Sequence, residues 1–531
     1  MKKHLFAVAA LSVASMSTAL AGGFLTNTNA GPGFLRLPAQ EALFSIESAY
    51  YNPAGIGFLN NGWHIGFYNQ SAFQTRTAES TFPFFAYHDG QQTHRYKGRA
   101  TAPILPTIDL GYVNGRFFGS FHFGVIGGGG KCEFKDGLGS FESVISVMPL
   151  ALNGVGDALG LGTVAGEPSL VTNQYSMNTY LRAHQYFFGG QIGLGYKFND
   201  HLSVSVGGRL VYGTASYYGY IRDIKFTPAP TSQLTQPGML TPNQPTDVST
   251  ILNTLGAAAP ESLRPKIAAL GQMLSSVNVN CDQTAWGFAP IIGLAYQNDR
   301  WQVGARYEFK TRMRLKNKST TTAEQAALLH NLSEFEDGKS IAADIPALLG
   351  VGVAYNFTPR LRASLAGHYF FDKDAHQHGG KQKRLKGNTW ELLAGVEYDV
   401  TDRLTASIGG QSTNYGLGSE KGYISDVSFV SSSYSLGAGV KFKASERVSL
   451  SLSYFKTLYY SITKEQAAYN DIPSTLGRIG GMTQQLGLLN ETQVAELAGK
   501  IQTVAGSGAF RGTDRFDRTN DVIGVGVEFH F

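Results

Sequence analysis

Charged side chains recur at alternate positions within the apolar–polar repeats of this chain. They are Lys197 and Arg209; Arg306, Glu308, Lys310 and Arg312; Arg362, His368 and Asp372; and Glu391, Glu397 and Asp399. Guanidinium and ammonium groups converging from several elements can hold an anionic head group by charge-assisted hydrogen bonds. Arg209, Arg306, Lys310 and Arg362 are therefore the candidate ligand-binding residues. Singly, each is explained as well by the need to hydrate or cross-link a polar interior. A hydrolase would need a nucleophile, a base and a third group within hydrogen-bond reach, whereas His122, His184 and His368 are scattered singletons. His376-x-His378 lies in a loop and is a weak metal signal. Gly127-Gly128-Gly129-Gly130 is not followed by Lys-Ser or Lys-Thr, so it is no phosphate cradle. The expectation is a protein that is not an enzyme and carries neither metal nor cofactor.

The elements that would position these groups are strands. In the hairpin from Thr389 to Gln411, Trp390, Leu392, Ala394, Val396, Tyr398 and Val400 share one parity, and Glu391, Glu397 and Asp399 the other. Thr401-Asp402-Arg403 turns the chain, and Leu404, Ala406 and Ile408 return against Thr405, Ser407 and Gln411. Successive side chains on a strand point to opposite faces, so the hairpin is apolar on one side and polar on the other. A soluble sandwich alternates in the same way. Here, however, tight turns near residues 114, 199, 298, 358, 401 and 444 alternate with seven longer connections, which makes fourteen strands. An even strand number, short turns at one rim and long loops at the other describe an all-β, antiparallel transmembrane β-barrel. A Lys or Arg facing the lipid midplane would cost about 2–4 kcal/mol, so the charged parity faces the lumen. The outer loops read as partly helical: Val248 to Ala258 is one candidate, and Leu263, Ile267, Leu270 and Leu274 are helically spaced in another.

Composition agrees. There are 64 glycines, 26 tyrosines and 33 phenylalanines among 531 residues, with only 16% charged, too little charge to cover several soluble domains. A net charge of +5 gives no reason to expect a nucleic-acid partner. Residues 1–21 read as a signal peptide: Lys2 and Lys3, an apolar core from Leu5 to Val13, and a cleavage site at Ala19-Leu20-Ala21. No later stretch approaches the length of a transmembrane helix, so only strands could carry the chain through a bilayer. Cys132 and Cys281 could pair in an oxidising compartment or remain two free thiols.

Residues 22–62 do not alternate. Gly31-Pro32-Gly33, Pro38 and Asn52-Pro53-Ala54-Gly55 argue against long regular elements. Phe24, Phe34, Leu35, Phe44, Ile46, Tyr50 and Tyr51 are too many apolar side chains for a disordered leader. The segment reads as a plug inside the barrel formed by residues 63–531. The four glycines at 127 to 130 fall within the third strand, where glycine weakens the ladder and marks a bulge or kink.

An exported chain that opens with Gly22-Gly23-Phe24, passes a Gly-rich segment to Asn52-Pro53-Ala54 and then forms fourteen strands resembles the FadL/TodX family. These are outer-membrane transporters of long-chain fatty acids and hydrocarbons, and the resemblance spans essentially the whole mature chain. It implies a location in the cell outer membrane and an N-terminal hatch in the lumen. It also implies a hydrophobic groove in the outer loops and sideways exit beside a kink in strand three. On this chain Phe24 matches the apolar residue near the mature N-terminus, Asn52, Pro53 and Ala54 the hatch motif, and Gly127, Gly128, Gly129 and Gly130 the kink. Phe34 to Pro38 departs from the family's serine- and glycine-rich hatch, and no family head-group cation aligns to a particular residue here. The expected ligand is a long-chain fatty acid or other hydrophobic small molecule, and the expected surroundings are outer-membrane lipid around a monomer. The alternative function is a surface receptor, adhesin or haem-binding barrel that works through its long loops.

Overall fold

In the computed structural model, residues 25–161, 169–320, 334–419 and 421–531 are described; the signal segment and Phe24 lie outside them. Fourteen antiparallel strands close the expected barrel. They are β1 (Gly62–Thr81), β2 (Thr93–Asn114), β3 (Phe117–Phe134), β4 (Val171–Lys197), β5 (Leu202–Pro228), β6 (Val277–Gln297) and β7 (Trp301–Glu308, resuming as Arg314–Ser319). The second half is β8 (Leu348–Thr358, led by Ser340–Ala342), β9 (Leu361–Phe370), β10 (Thr389–Asp399), β11 (Leu404–Asn414), β12 (Ser433–Ser445), β13 (Val448–Tyr459, continued by Ile462–Gln466) and β14 (Gly512–His530). β14 returns to β1, pairing Thr81 with Thr513 at one end and His64 with His530 at the other, so no edge is left open. The two parities separate as the alternation requires: on β10, Leu392 is 56% exposed and Glu391 is fully buried.

Five of the six tight turns share one local device. Asn199, Asn298, Thr358 and Thr401 each accept backbone N–H groups two and three residues on through the side-chain oxygen, and Ser445 accepts one two residues on. The carbonyls of Arg116, His201, Arg300, Arg360, Arg403 and Arg447 then each accept a backbone N–H from the end of the neighbouring hairpin, at 2.8–2.9 Å. Each turn therefore closes its own hairpin and stitches it to the next.

Residues 25–61 fill the lumen. α1 (Pro32–Arg36), α2 (Ser48–Tyr51) and a 3-10 turn at Pro53–Phe58 bury Phe34, Tyr50, Tyr51 and Ile56 almost completely. Wall glycines admit this backbone: a Cβ on Gly304 would collide with the carbonyl of Glu41. Beyond the opposite rim the loops form an apolar cap. A short helix α3 (Ala86–Asp89) is followed by α4 (Gly139–Ala158), α5 (Val248–Ala258) and α6 (Arg264–Ser275). The pair α7 (Ile472–Gln485) and α8 (Glu491–Gly506) completes the cap. Phe141, Ile145, Ile251, Leu255, Ile472 and Leu476 belong to one buried cluster there.

One expectation needs correction, and one alternative left open by the sequence is decided. The inward parity of Arg306 and Glu308 does not reach Arg312, because β7 breaks after Glu308; beyond the break Met313 is buried and Arg312 exposed. The Cys132–Cys281 pairing does not form, and both thiols are free and buried. The register explains it: Cys132 pairs with Ala183, Ala183 with Tyr217, and Tyr217 with Cys281. Three strand spacings amount to about 14 Å, twice the reach of a disulfide.

Candidate functional site: a break in the wall beside the hatch

β2 and β3 pair from Asn114 with Phe117 up to Ile108 with Phe123, and again from Ala100 with Cys132. Between these ladders β2 runs Thr101-Ala102-Pro103-Ile104-Leu105-Pro106-Thr107, and β3 runs from Gly124 through the four glycines to Lys131. Proline donates no ladder hydrogen bond, and a glycine run stabilises one poorly. Proline on one strand thus faces glycine on the other, and the wall is unpaired where they meet. β3 slips register against β4 at both Val125/Gly127 and Gly128/Gly130. Gly128 sits at φ +88°, a conformation that L side chains rarely adopt. Among the described residues Ile104 is the most exposed large apolar side chain, and it stands on the lipid side of the break.

The break is closed from within by the leading hatch residues. The Asn27 N–H donates to the Ile126 carbonyl at 2.8 Å, and a Cβ on Gly127 would collide with the Leu25 carbonyl. Gln70 and Asn29 exchange two hydrogen bonds, at 2.8 and 3.1 Å, and Thr107 donates to the Ala30 carbonyl at 2.8 Å. The cavity left among Asn27, Ala72, Gln74, Ala102, Val125 and Tyr186 measures about 10 Å³. That is room for one water.

The candidate cations do not form one cluster. Arg209 and Arg306 meet at the hatch, with guanidinium carbons 5.0 and 5.4 Å from the centre of the Tyr50 ring. Arg209 is ion-paired with Glu308 and donates to Gln191 at 2.6 Å; Arg306 donates to the Tyr50 carbonyl at 2.7 Å. Lys310 lies in the break between the two segments of β7 and donates to the Asp374 carbonyl. Arg362 lies near the turns, bonded to Glu397 at 2.6 Å, in a cavity of about 390 Å³ shared with Arg36 and Lys441. Asn52, Pro53 and Ala54 dock the hatch on β5 and β6: Asn52 donates to the Leu294 carbonyl at 2.9 Å, and Ser203 to the Ala54 carbonyl at 2.7 Å.

Two further arginines, absent from the sequence-derived set, stand above the break. Arg76 on β1 and Arg518 on β14 are register partners, both facing inward and buried. Arg518 donates at 3.0 Å to Gln74, which lines the closed cavity. Their signal was parity: even-numbered residues of β1 face inward from His64 onward, and that series contains Arg76.

Two hatch carboxyls respond to pH in opposite senses. Burial, with repulsion from Glu528 and Asp109, pushes the Glu47 carboxyl up to about 8, and Glu47 accepts from the Gly33 N–H at 3.0 Å. Burial also disfavours the Glu41 carboxylate, but His368 and Arg306 outweigh it and hold that group below its usual range. A raised carboxyl stabilises the seated state fully below its ordinary value of 4.5, and this contribution is lost as pH rises through about 8. The Glu41 contribution is lost instead as pH falls through the lower carboxylate range. The hatch of wild-type protein should therefore become more accessible to protease between pH 6 and 8.5, and Glu47→Gln should flatten that change. Equal protection across this range, or an undiminished change in the variant, contradicts the assignment.

No family model matches the sequence, and no curated protein matches it. Solved structures do. A FadL homologue from Pseudomonas aeruginosa is similar at 14% identity and TM-score 0.56, over 96% of this chain and 99% of that one. The toluene transporter TodX from Pseudomonas putida is similar at 12% identity and TM-score 0.51, over 97% of this chain and 100% of that one. The chain thus has the fold of the FadL- and TodX-type barrels.

Proposed function

We propose that this barrel is an outer-membrane channel for passive uptake of hydrophobic molecules, with long-chain fatty acids as the first candidates. Ligand would enter through the apolar cap, displace the leading hatch residues and leave sideways into the bilayer between β2 and β3. The observation that carries this reading is the unpaired stretch of wall, proline against glycine, stoppered by residues 25–30 from inside. Each CH₂ kept out of water is worth about 0.8 kcal/mol, so a sideways exit spares a long acyl chain an aqueous crossing. Arg76 and Arg518, next to Gln74, would hold an acidic head while the tail reaches the break. Arg209 and Arg306 would act on ligand indirectly, by holding the hatch at Tyr50. The similarity to a FadL homologue and to a toluene transporter supports a hydrophobic cargo.

Deleting residues 22–45 from the mature chain tests the reading. Radiolabelled oleate uptake by cells carrying the inserted deletion should vanish or become an ungated leak with high ion conductance. Normal, saturable uptake by that variant refutes the proposal. Haem or host-protein binding that survives the deletion and is lost with the loops would favour a surface receptor instead.

A further inference from the structure

Beyond the break in β7 the outer face of the wall changes chemistry. Arg312, Arg314, Lys316 and Lys318 are exposed, whereas Met313, Leu315 and Asn317 between them are buried at 0, 2 and 3%. Four cations therefore stand in one file on the outside of the barrel, roughly 20 Å long at about 3.4 Å per residue. Lys316 pairs with Thr284 and Lys318 with Asp282 on β6. Carried two residues down, the same register sets Arg314 beside Trp286, which is 64% exposed next to Phe288 at 59%. Aromatic girdles mark the level of the lipid head groups. The file starts at that level and climbs past it, on the rim that carries the long loops.

The neighbouring strand is suited to sugar rather than to acyl chain. Above Trp286 the exposed residues of β6 are Thr284, Asp282, Asn280 and Asn278, a column of hydroxyl, carboxylate and amide groups. Two acids temper the charge: Asp282 stands opposite Lys318, and buried Asp344 takes Arg314 at 2.5 Å. Among the described residues Arg312, Lys316 and Lys318 make no ion pair.

We propose that this file, with the polar column beside it, binds the phosphates and sugars of a phosphorylated glycolipid of the lipopolysaccharide class in the outer leaflet. Clustered lysines and arginines at a membrane surface bind anionic head groups, and guanidinium suits phosphate in particular. A phospholipid has its phosphate at girdle height and would meet only the foot of the file. A phosphorylated oligosaccharide extends along all of it. The site is independent of what the channel carries and rests on the outer-membrane placement alone, which cell fractionation tests separately.

The experiment compares full-length protein with the triple variant Arg312→Gln, Lys316→Gln and Lys318→Gln. Arg314 is retained because it holds Asp344. Binding is titrated in mild detergent with purified lipopolysaccharide, with the same material after enzymatic dephosphorylation, and with phosphatidylglycerol, reading bound copies by native mass spectrometry. The triple variant should bind lipopolysaccharide at least tenfold more weakly, and dephosphorylation should weaken wild-type binding to a similar degree. Undiminished binding by the triple variant, equal binding of the dephosphorylated form, or equally tight phosphatidylglycerol each overturns the proposal. Should the triple variant fail to fold, Lys318→Gln alone and the salt dependence of wild-type binding carry the same test. Binding insensitive to both refutes it.

Discussion

Oxidising a cysteine pair placed at Asn27 and Ile126 should stop uptake, and reducing it should restore uptake in full. The Asn27 N–H already donates to the Ile126 carbonyl at 2.8 Å, and residues bonded across adjacent strands have Cα atoms within the range a disulfide spans. Both native thiols, Cys132 and Cys281, are buried and unbonded, so replacing them by serine clears the background. The lock fixes the stopper in the position where the cavity behind it holds about 10 Å³. A fatty acid cannot fit in the space of one water. If exit runs through this break, the oxidised protein should lose at least 95% or so of its oleate flux, an effect of about 1.8 kcal/mol or more on the rate-limiting barrier. The rest of the hatch is untouched, which separates this result from general loss of fold. Full transport by the verified oxidised form would mean that ligand leaves elsewhere, for example through the hatch toward the turns.

How much of this was legible beforehand follows from which signals are periodic. Wall strands repeat every second residue and cannot slip by one without exposing charge to lipid, so strand number, turn positions and the inward placing of Glu391, Glu397 and His368 were all readable. The glycines at 127 to 130 stood out for the same reason, as an interruption of the period. Pro103 and Pro106 were an equal signal on the facing strand, yet their meaning depends on knowing that β2 lies beside β3 in that register. Arg312 escaped because a strand break resets parity without any marker in composition. The hatch is the opposite case: its backbone is held by single contacts such as Ser203 to Ala54 and Gln191 to Ala49, and no period connects residues so far apart in sequence. Helices α7 and α8 were hidden as well, since the apolar face of α7 is buried only against other loops of the cap.

Replacing Arg209 alone should be far more damaging than replacing Arg209 and Glu308 together. Both side chains are buried, at 0 and 2% exposure, and each is the other's ion-pair partner in a lumen sealed by the hatch. Arg209→Met leaves the Glu308 carboxylate in a low-dielectric site, and stranding one member of a buried pair costs about 3–5 kcal/mol. It also removes one of the two cations set over Tyr50, worth roughly 1–2 kcal/mol when desolvated. The single variant should therefore unfold at clearly lower denaturant and show frequent hatch openings in single-channel recordings. The double variant Arg209→Met/Glu308→Leu removes the stranded charge and should recover most of the stability, because well-packed apolar groups replace a buried ion pair at little cost. A residue that instead gripped a ligand's head group would behave otherwise: both variants would lose uptake equally, with stability and conductance unchanged. The order of the two variants in stability, together with the presence or absence of hatch noise, decides whether Arg209 is part of the latch or part of the ligand's path.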